Sequence, residues 1–409
     1  MRFLILNTDY REFLTWLYAQ HPGLAERSYK EQLNVRSESL FGVADFYSRN
    51  LQILGHVAID IHANNGWLQR AWAREHGKDV GQSAHPRRYL SSVWQAARRV
   101  QAGWPLRYCK PLIQPFRRVL SRPPPWFYQV LAAQIRDFRP DVVLNQDMVG
   151  ISRGFLREMK PYIRLLVGQH AAIPLPDAQD WNCYDVVISS FPPTIAWFRQ
   201  RGIPAELSRL GFEPSVLNAL RERTTRFDVV FVGSFSNVHR SRIAWLEALC
   251  ARCPRISVWA PSVDHLPVQS PIRACYVGQV WGREMYQILA DSKIVLNQHG
   301  DIPAYANNCR LYEATGVGSL LLTDDKDNLR EMFEPGRELL AYRNPEECVE
   351  LIRYYLKHDE EREAIARAGQ ERTLREHTYN HRMQELTDII HTYLSGRTGS
   401  VHLVDTVAT

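Results

Sequence analysis

The sequence predicts an α/β protein built from two doubly wound parallel sheets that face a central cleft. Short apolar runs of strand length alternate with longer helical stretches over most of the chain. Polar residues follow nearly every run, as they do where strands of a parallel sheet end at one edge. The pattern restarts near residues 210–220, which divides the chain into two such units. Helices are expected on both faces of each sheet.

Composition narrows the class of protein. The chain has 409 residues, which predicts roughly two or three domains, and 45% of them are hydrophobic, as in chains that bury full cores. The opening, MRFLILNTDY, is too short and too polar for a signal peptide or a membrane span. We therefore expect a cytoplasmic protein, and a position at the inner face of the cell membrane stays open.

The cysteines indicate reduced thiols. There are 7 of them, and an odd number in a large chain argues against a disulfide framework. Cys250 and Cys253 form a close pair, but the sequence has no second pair and no histidine cluster near them. We therefore expect no metal site there.

Five apolar runs predict the strands of the first unit, and two helices, 40–54 and 130–138, lie between them. The runs span residues 3–6, 56–61, 141–144, 163–167 and 185–189. Three titratable residues that follow such runs are candidates for a catalytic role: Asp9, Asp147 and His170. Gly168 predicts a tight turn that presents His170 to the cleft. The two aspartates equally suit helix caps, and the histidine equally suits a satisfied place in the cleft wall.

Residues 80–136 form a basic insertion that contains no acidic residue. Ten basic residues fall there: Arg87, Arg88, Arg98, Arg99, Arg107, Lys110, Arg117, Arg118, Arg122 and Arg136. Aromatic residues are interleaved with them. We favour a helical insertion with a solvated basic face, and keep an anionic membrane or an acidic acceptor as alternatives. No nucleic-acid-binding module is recognisable, so no nucleic acid partner is expected.

The second unit follows residues 211–214, which predict a linker. Its strands are predicted at residues 227–232, 256–259, 275–277, 294–296 and 320–322. Helices are predicted at 345–357, 360–376 and 380–394, and the polar tail 395–409 is expected to be poorly ordered.

Gly233 and Ser234 come directly after the first strand of this unit, and a helix bearing Arg240 and Arg242 follows. A strand, a glycine turn and a helix start together favour anion binding, because backbone N–H groups and the helix dipole attract phosphate. The sequence lacks GxGxxG and a Walker lysine, so a purely structural turn glycine is the equal alternative.

Polar residues are densest after the strand predicted at 294–296. Asn297, His299 and Asn308 lie in the loop, and Arg310 and Glu313 follow three residues apart on one helix face. A guanidinium suits a phosphate, and a carboxylate can accept both hydrogens of a ribose diol. The pair therefore points to a nucleotide diphosphate, with a surface ion pair as the alternative.

Several segments resemble the bacterial glycosyltransferases related to the spore maturation protein CgeB. They are FVGSFSNVHRSR, YVGQVWGREMYQILADSKIVLNQHG, NNCRLYEATGVGSLLLTDD and IARAGQERTLREHTYNHRM. The resemblance spans roughly residues 141–394 and implies the GT-B architecture. It implies domains at 1–212 on the acceptor side and 213–378 on the donor side, a helix at 379–396 that packs back on the first domain, and a flexible tail at 397–409.

The resemblance also implies residue roles. Glu313 would bind the ribose, Gly233 would lie beneath the diphosphate, and Arg310 would contact donor phosphate or sugar. The strand ending at Gly278 would flank the base. The sequence departs in two places from the motif of GT-B transferases that retain the anomeric configuration. Tyr305 occupies the place of an acid eight residues before Glu313, and Ser234 and His239 replace an arginine and a lysine after Gly233. Arg240 or Arg242 can supply the missing charge, and retention or inversion stays open.

These expectations combine into a metal-independent glycosyltransferase that moves a sugar from a nucleotide-sugar donor to a glycan or glycoconjugate acceptor. No cofactor is expected, since the nucleotide sugar is a substrate. An inverting reaction needs a base at the acceptor hydroxyl, for which His170, Asp9 and Asp147 are the candidates. A nucleotide-sugar hydrolase or epimerase, and a catalytically silent nucleotide- or glycan-binding module of envelope assembly, are the alternatives.

Overall fold

The computed structural model describes residues 1–78, 80, 125–171, 180–235, 240–253, 255–299 and 304–401, without the side chains of residues 125, 240 and 396–401. The chain divides into two compact units, residues 1–35 with 59–164 and residues 36–58 with 165–409. The basic residues predicted for the insertion lie outside the described residues, except Arg136. The domain limits expected from the resemblance stay predictions.

The first sheet follows the predicted strands closely. Its strands are β1 (Arg2–Asn7), β2 (Val57–His62), β3 (Val142–Asn145), β4 (Leu165–Gln169), β5 (Val186–Ser189) and β6 (Ala205–Leu207). They stand in the order β2-β1-β3-β4-β5-β6. Phe3 of β1 pairs in parallel with Val142 of β3, and both side chains are fully buried. Continuous burial on both faces explains why these strands are read as unbroken apolar runs.

Seven α-helices are described up to residue 199. They are α1 (Arg11–Gln20), α2 (Tyr29–Glu38), α3 (Phe46–Ile53), α4 (Gly66–Glu75), α5 (Pro125–Phe138), α6 (Arg153–Met159) and α7 (Pro192–Arg199). The side-chain oxygen of Ser152 accepts a hydrogen bond from the Phe155 N–H at the start of α6, and Asn65 caps α4 in the same way. Such caps satisfy amide groups that have no partner within the helix.

The helix predicted over residues 40–54 is wrong at its start, since α3 begins only at Phe46. Leu40, Gly42 and Ala44 have φ angles of +59°, +64° and +41°, which lie outside the right-handed helical region. β6 was not predicted, because its three residues, Ala-Glu-Leu, contain no continuous apolar run.

The second sheet is also six-stranded and parallel. Its strands are β7 (Phe227–Val232), β8 (Ile256–Trp259), β9 (Tyr276–Gly278), β10 (Ser292–Leu296), β11 (Leu320–Asp324) and β12 (Leu340–Tyr342). They stand in the order β12-β11-β10-β7-β8-β9, which places β7 and β10 at the centre. Ile294 of β10 pairs with Val229 of β7 on one side and with Leu320 of β11 on the other. The prediction of two doubly wound parallel sheets is thereby confirmed.

The helices of this part are α8 (Ser215–Ala219), α9 (Arg240–Arg252), α10 (Pro271–Cys275), α11 (Gly282–Ala290), α12 (Arg310–Gly316), α13 (Pro345–Tyr355), α14 (Asp359–Glu376) and α15 (Tyr379–Val401). α15 continues to Val401, and residues 402–409 lie outside the described part of the chain, so the poor order expected of the tail stays a prediction. One prediction needs correction. Cys275 was assigned to a strand, but it ends α10, and β9 begins one residue later.

Residues 211–214 form a packed connection rather than a loose linker. The Phe212 N–H donates to the carbonyl of His377 at 2.8 Å, and the Phe212 carbonyl accepts from the Tyr379 N–H at 2.9 Å. A Cβ at Gly211 would stand 3.0 Å from the His377 carbonyl oxygen, so the position leaves little room for a side chain.

Within the part of the chain that is described, no helix combines the length and the apolar character needed to cross a membrane.

Candidate functional site

The glycine turn after β7 lies at the centre of the second sheet's carboxyl edge. The Gly233 N–H donates to the Trp259 carbonyl at 3.0 Å, which joins the ends of β7 and β8. A Cβ at Gly233 would stand 2.9 Å from the ring of Phe231. Glycine is therefore required by packing, and its own N–H is engaged within the sheet. A role beneath a diphosphate would rest on the absence of a side chain rather than on this N–H.

Arg242 joins the loops that follow β7 and β10. Its guanidinium donates to the Ser234 carbonyl at 3.1 Å and to the Gln298 carbonyl at 2.7 Å. The side chain is buried, with its guanidinium carbon 5.9 Å from the centre of the Phe231 ring. Arg242 thus holds a positive charge just beneath the loops at this edge. The Arg240 side chain and residues 236–239 lie outside the described part of the chain.

Arg310 and Glu313 form an ion pair at the start of α12, with 2.8 Å between Nη1 and Oε2. Each side chain is only 13% exposed, so the pair is not the surface pair that the sequence left as an alternative. Arg310 Nη2 also donates to the carbonyl of Val232 at 3.2 Å, directly before Gly233. The structure therefore brings the cation, the carboxylate and the glycine turn together.

Asn297 and Asn308 face each other across the loop that leaves β10. Asn308 Nδ2 donates to Asn297 Oδ1 at 2.8 Å, and Asn297 Nδ2 donates to the Thr323 hydroxyl at 2.9 Å. The Tyr342 hydroxyl donates to the Asn297 carbonyl at 2.7 Å. Burial raises the pKa of Tyr342 well above its usual value, so the phenol remains a donor. These bonds fix the start of the loop against β11 and β12.

His299 pairs with Asp324, the last residue of β11. Its Nδ1 lies 2.6 Å from Asp324 Oδ1, and its backbone N–H donates to the same oxygen at 3.0 Å. Lys326 Nζ lies 3.2 Å from Oδ2. Burial alone would raise the pKa of Asp324, but the bonds from His299 and the charges of His299 and Lys326 outweigh it and lower that pKa.

Sequence reasoning missed Thr323, Asp324 and Lys326. The signal was present, since the apolar run of β11 ends in Thr-Asp-Asp at the same sheet edge as the loop after β10.

Gly278, which was predicted to flank the base, lies at the border of the sheet formed by β9. It ends β9, and its carbonyl accepts from the Ala260 N–H at 3.0 Å.

Asp9 is buried in the first unit and is held on several sides. Its Oδ2 lies 3.0 Å from Nδ1 of His62, a fully buried residue. Its backbone N–H donates to Asn64 Oδ1, and its carbonyl accepts from Asn64 Nδ2, both at 2.8 Å. These contacts fix the loop after β1.

Asp147 closes the turn after β3. Its Oδ1 accepts from the Gly150 N–H at 2.7 Å, and its Oδ2 accepts from the Thr8 hydroxyl at 3.0 Å. Both carboxylate oxygens thus hold local structure by closing a turn, whereas the cap of the next helix, which the sequence left open to Asp147, is provided by Ser152. Thr8 and Asp147 bring together the loops after two neighbouring strands, β1 and β3.

His170 follows β4, but the tight turn predicted for it is wrong. Gly168 lies inside the strand and pairs with Val187 of β5. The His170 N–H continues the ladder by donating to the Ile188 carbonyl at 3.1 Å. The half-buried His170 is therefore presented from an extended strand end. It belongs to a different compact unit from Asp9 and Asp147.

Asn307 is a further polar residue that the site prediction did not include. Its Nδ2 donates to the Ala171 carbonyl at 2.7 Å, and its Oδ1 accepts from the Ser190 hydroxyl at 2.6 Å. A small open pocket lies beside it, lined among others by Arg209, Asn308 and Tyr312. The loop before α12 is thereby tied to the carboxyl ends of β4 and β5.

Among the described residues, no group of three or more His, Cys, Asp or Glu side chains is placed to hold a metal ion.

The candidate donor-binding residues of the second sheet lie in the segment of the chain that matches a protein family by sequence. Residues 216–388 match the glycosyl transferase-like family. This segment contains the whole second sheet, the Gly233 turn and the Arg310–Glu313 pair. None of the curated proteins matches the chain.

Solved glycosyltransferase structures share the fold over nearly the whole chain. A glycosyltransferase from Rickettsia africae ESF-5 matches with a TM-score of 0.57 at 11% identity, covering 96% of this chain and 98% of that one. Anabaena Alr3699/HepE in complex with UDP and glucose gives 0.56 at 12% identity, over 96% and 100%. AviGT4, a glycosyltransferase involved in avilamycin A biosynthesis, gives 0.55 at 13% identity, over 97% and 98%. The chain has the GT-B fold of these enzymes.

Proposed function

We propose that the protein is a CgeB-like glycosyltransferase that moves a sugar from a nucleotide-sugar donor to a glycan or glycoconjugate acceptor. The observation that carries the proposal is the Arg310–Glu313 pair, because Arg310 also bonds to Val232 at the foot of the glycine turn. A carboxylate that can accept from a ribose diol thus lies beside a cation that suits a phosphate. The match of residues 216–388 and the complex of Alr3699/HepE with UDP and glucose support this reading.

The chemistry follows from the charge that develops on the leaving nucleotide diphosphate. Arg310 and Arg242 place fixed positive charge at the end of β7, where it stabilises that charge without reorganising. We propose that these groups serve in place of a metal ion and that no further cofactor takes part. The reaction then needs no group beyond the nucleotide sugar and the acceptor.

We propose His170 as the base that takes the proton of the acceptor hydroxyl. The choice rests on comparison of the three candidates. Both oxygens of Asp147 accept hydrogen bonds that close a turn, and Asp9 is buried against His62. His170 is half-buried at the carboxyl end of β4. We further propose that the transfer occurs in the cytoplasm, on an acceptor of polysaccharide biosynthesis.

The same observations favour one second candidate, a catalytically silent nucleotide- or glycan-binding module. Asp9 and Asp147 both hold local structure, so neither carboxylate needs a catalytic role to explain its presence in the first unit. The donor site would be unchanged in such a module. Donor binding without transfer is the property that separates it from the enzyme.

A thermal-shift screen tests the donor site first. The purified protein is heated with UDP, GDP, TDP, CMP or ADP, without metal and then with magnesium. A ligand present at about 100 times its Kd stabilises the folded state by about 2.7 kcal/mol, so one nucleotide should raise Tm by several degrees. The proposal is overturned if no nucleotide changes Tm. A shift without sugar transfer to any glycan acceptor would favour the silent module.

A further inference from the structure

Four cysteines lie together beside the second sheet. Cys250 is in the last turn of α9 and Cys253 follows that helix, Cys275 ends α10, and Cys348 lies in the first turn of α13. Three of them are buried in the apolar core, and the half-buried Cys275 packs against it. Cys275 is near enough to both Cys250 and Cys253 to influence the pKa of each thiol. The fold thus gathers thiols that are far apart in sequence.

The closest contact in this cluster joins Cys250 to Cys275. A hydrogen bond links the two thiols. A second bond holds the same two helices together, because the Ser270 hydroxyl, directly before α10, donates to Glu247 Oε1 of α9 at 2.6 Å. The sulfur atoms are therefore kept beside each other by an independent contact at the opposite end of α10.

Two kinds of chemistry suit neighbouring thiols, metal binding and oxidation. In the described part of the chain, no three His, Cys, Asp or Glu side chains are placed to share a metal ion, and this cluster is included. Oxidation to a disulfide needs only two sulfur atoms, which approach to about 2.05 Å in the bond. The hydrogen-bonded pair of thiols leaves only a short approach to make.

Burial sets the order in which the two thiols react. Cys250 is 7% exposed, and burial together with the neighbouring Cys275 raises its pKa above the usual value. A buried thiol of raised pKa is a poor first nucleophile, so the half-buried Cys275 meets a reagent from solvent first. Cys250 then reacts within a held contact, and this proximity compensates for its small thiolate fraction.

We propose that Cys250 and Cys275 form a reversible disulfide when the protein meets a small-molecule disulfide such as oxidised glutathione. The Cys275 thiolate attacks one sulfur of the reagent, whose S–S bond breaks and releases one glutathione thiolate. Cys250 loses its proton to solvent, attacks the Cys275 sulfur and expels the second glutathione thiolate. Two protein thiols are oxidised, and one glutathione disulfide is reduced to two thiols.

The bridge would join the end of α9 to the residue before β9, the border strand. Disulfides of this kind are transient in a reducing compartment, so the free thiols are the resting state. The inference goes beyond the proposed function and does not depend on donor binding or sugar transfer.

Peptide mapping tests the bridge. The native protein is incubated with oxidised glutathione, quenched in acid, alkylated in denaturant and digested with trypsin. Cleavage after Arg252 separates Cys250, in peptide 243–252, from Cys253, in peptide 253–255. The expected product is peptide 243–252 linked to peptide 274–283, and dithiothreitol should release both. No linked product, or a link between any other pair of cysteines, would overturn the proposal.

Three variants test the order of the steps and the specificity. Cys250→Ser should retain one glutathione on Cys275, whereas Cys275→Ser should leave Cys250 open to alkylation. Cys183→Ser is the matched control, since it removes a buried cysteine outside the cluster and should bridge like the unmodified protein. Glutathione on Cys250 but not on Cys275 in these variants would contradict the proposed order.

Urea denaturation provides a second readout that does not depend on digestion. Oxidation should raise the urea midpoint of the unmodified protein and of Cys183→Ser, because the bridge restricts the unfolded chain. It should leave the midpoint of Cys275→Ser unchanged. An equal rise in Cys275→Ser would assign the stabilisation to another pair of thiols and overturn the proposal.

Discussion

Arg310 Nη2 lies 3.2 Å from the carbonyl oxygen of Val232, while Nη1 of the same side chain lies 2.8 Å from Glu313 Oε2. One guanidinium therefore joins the start of α12 to the end of β7. This link positions a carboxylate and a cation at a glycine turn, although the residues are separated by some 80 positions in sequence (Val232 to Glu313). The two charges depend on each other, because each is mostly removed from water.

Removing either member of this pair should abolish tight nucleotide binding. Glu313→Ala and Arg310→Ala are each expected to raise the Kd of the selected nucleoside diphosphate at least tenfold, since each removes a charge-assisted bond. Titration calorimetry measures the effect, and circular dichroism confirms the fold. The pair Arg337 and Glu334 offers a matched control, because Arg337→Ala removes an ion pair of the same spacing whose two side chains are exposed to water. Unchanged Kd in both variants would remove the donor-site assignment.

Gly233→Ala should lower the free energy of unfolding by about 1–3 kcal/mol, because the new Cβ would stand 2.9 Å from the Phe231 ring. Urea denaturation measures the loss. Gly154→Ala is the control, since its nearest neighbouring atom is 3.6 Å away and its helical position tolerates alanine. Adding Phe231→Leu should recover part of the stability by giving the Cβ room. Full stability of Gly233→Ala would contradict the packing argument.

His170→Ala should reduce sugar transfer by a factor of about 100 or more and leave the Kd of the nucleotide within about twofold. The reason is that a base acts on the acceptor hydroxyl and has no part in holding the donor. Steady-state transfer rates and titration on the same preparation provide both numbers. Asp147→Asn keeps an acceptor for the Gly150 N–H, so it should retain transfer. If Asp147→Asn loses transfer and His170→Ala does not, the base would be reassigned to Asp147.

His377 should make the protein less stable in mild acid. Burial lowers the pKa of His377 to about 4, despite the bond from its Nε2 to the Met332 carbonyl, and the positive charge of Arg382 lowers it further. The folded pKa lies below the unfolded value of about 6.5, so the unfolded chain binds the proton more readily. This stability is present above pH 6.5 and is lost as pH falls towards 4, up to about 3 kcal/mol.

Urea denaturation between pH 7 and pH 4.5 measures this loss. His377→Gln should flatten the dependence of the unfolding free energy on pH, because the variant has no proton to gain at that site. His391→Gln, on the exposed face of α15, should keep the slope of the unmodified protein. A slope that is the same in all three proteins would show that His377 does not titrate as described.

Most strands could be predicted from the sequence because they are buried on both faces. β7 and β8 have the predicted limits, and β1, β3, β10 and β11 differ by one or two residues at their ends. Short border strands were harder, since β6 and β12 contain three residues each and lack a long apolar run. The turns at residues 40–45 were missed because Leu40 and Ala44 adopt positive φ, which neither residue type indicates.

The candidate site divides in the same way. Arg310 and Glu313 could be paired from their spacing of three residues, because helix geometry alone brings such positions together. The surroundings of His299 could not be predicted, since Asp324 reaches it only through the parallel pairing of β10 with β11, and Lys326 contacts Asp324 in turn. The engagement of Asp147 with Thr8 likewise depends on β1 lying beside β3.

The sequence by itself determined the fold class, the parallel character of both sheets and the place of the polar loops, because apolar periodicity and strand burial are local properties of the chain. The tertiary structure alone decided which polar residues are neighbours: Arg310 at the end of β7, Arg242 beneath two loops, and Asp324 beside His299. Hydrogen bonds of about 3 Å between residues far apart in sequence depend on strand order and register, and neither is encoded by the composition of any single segment.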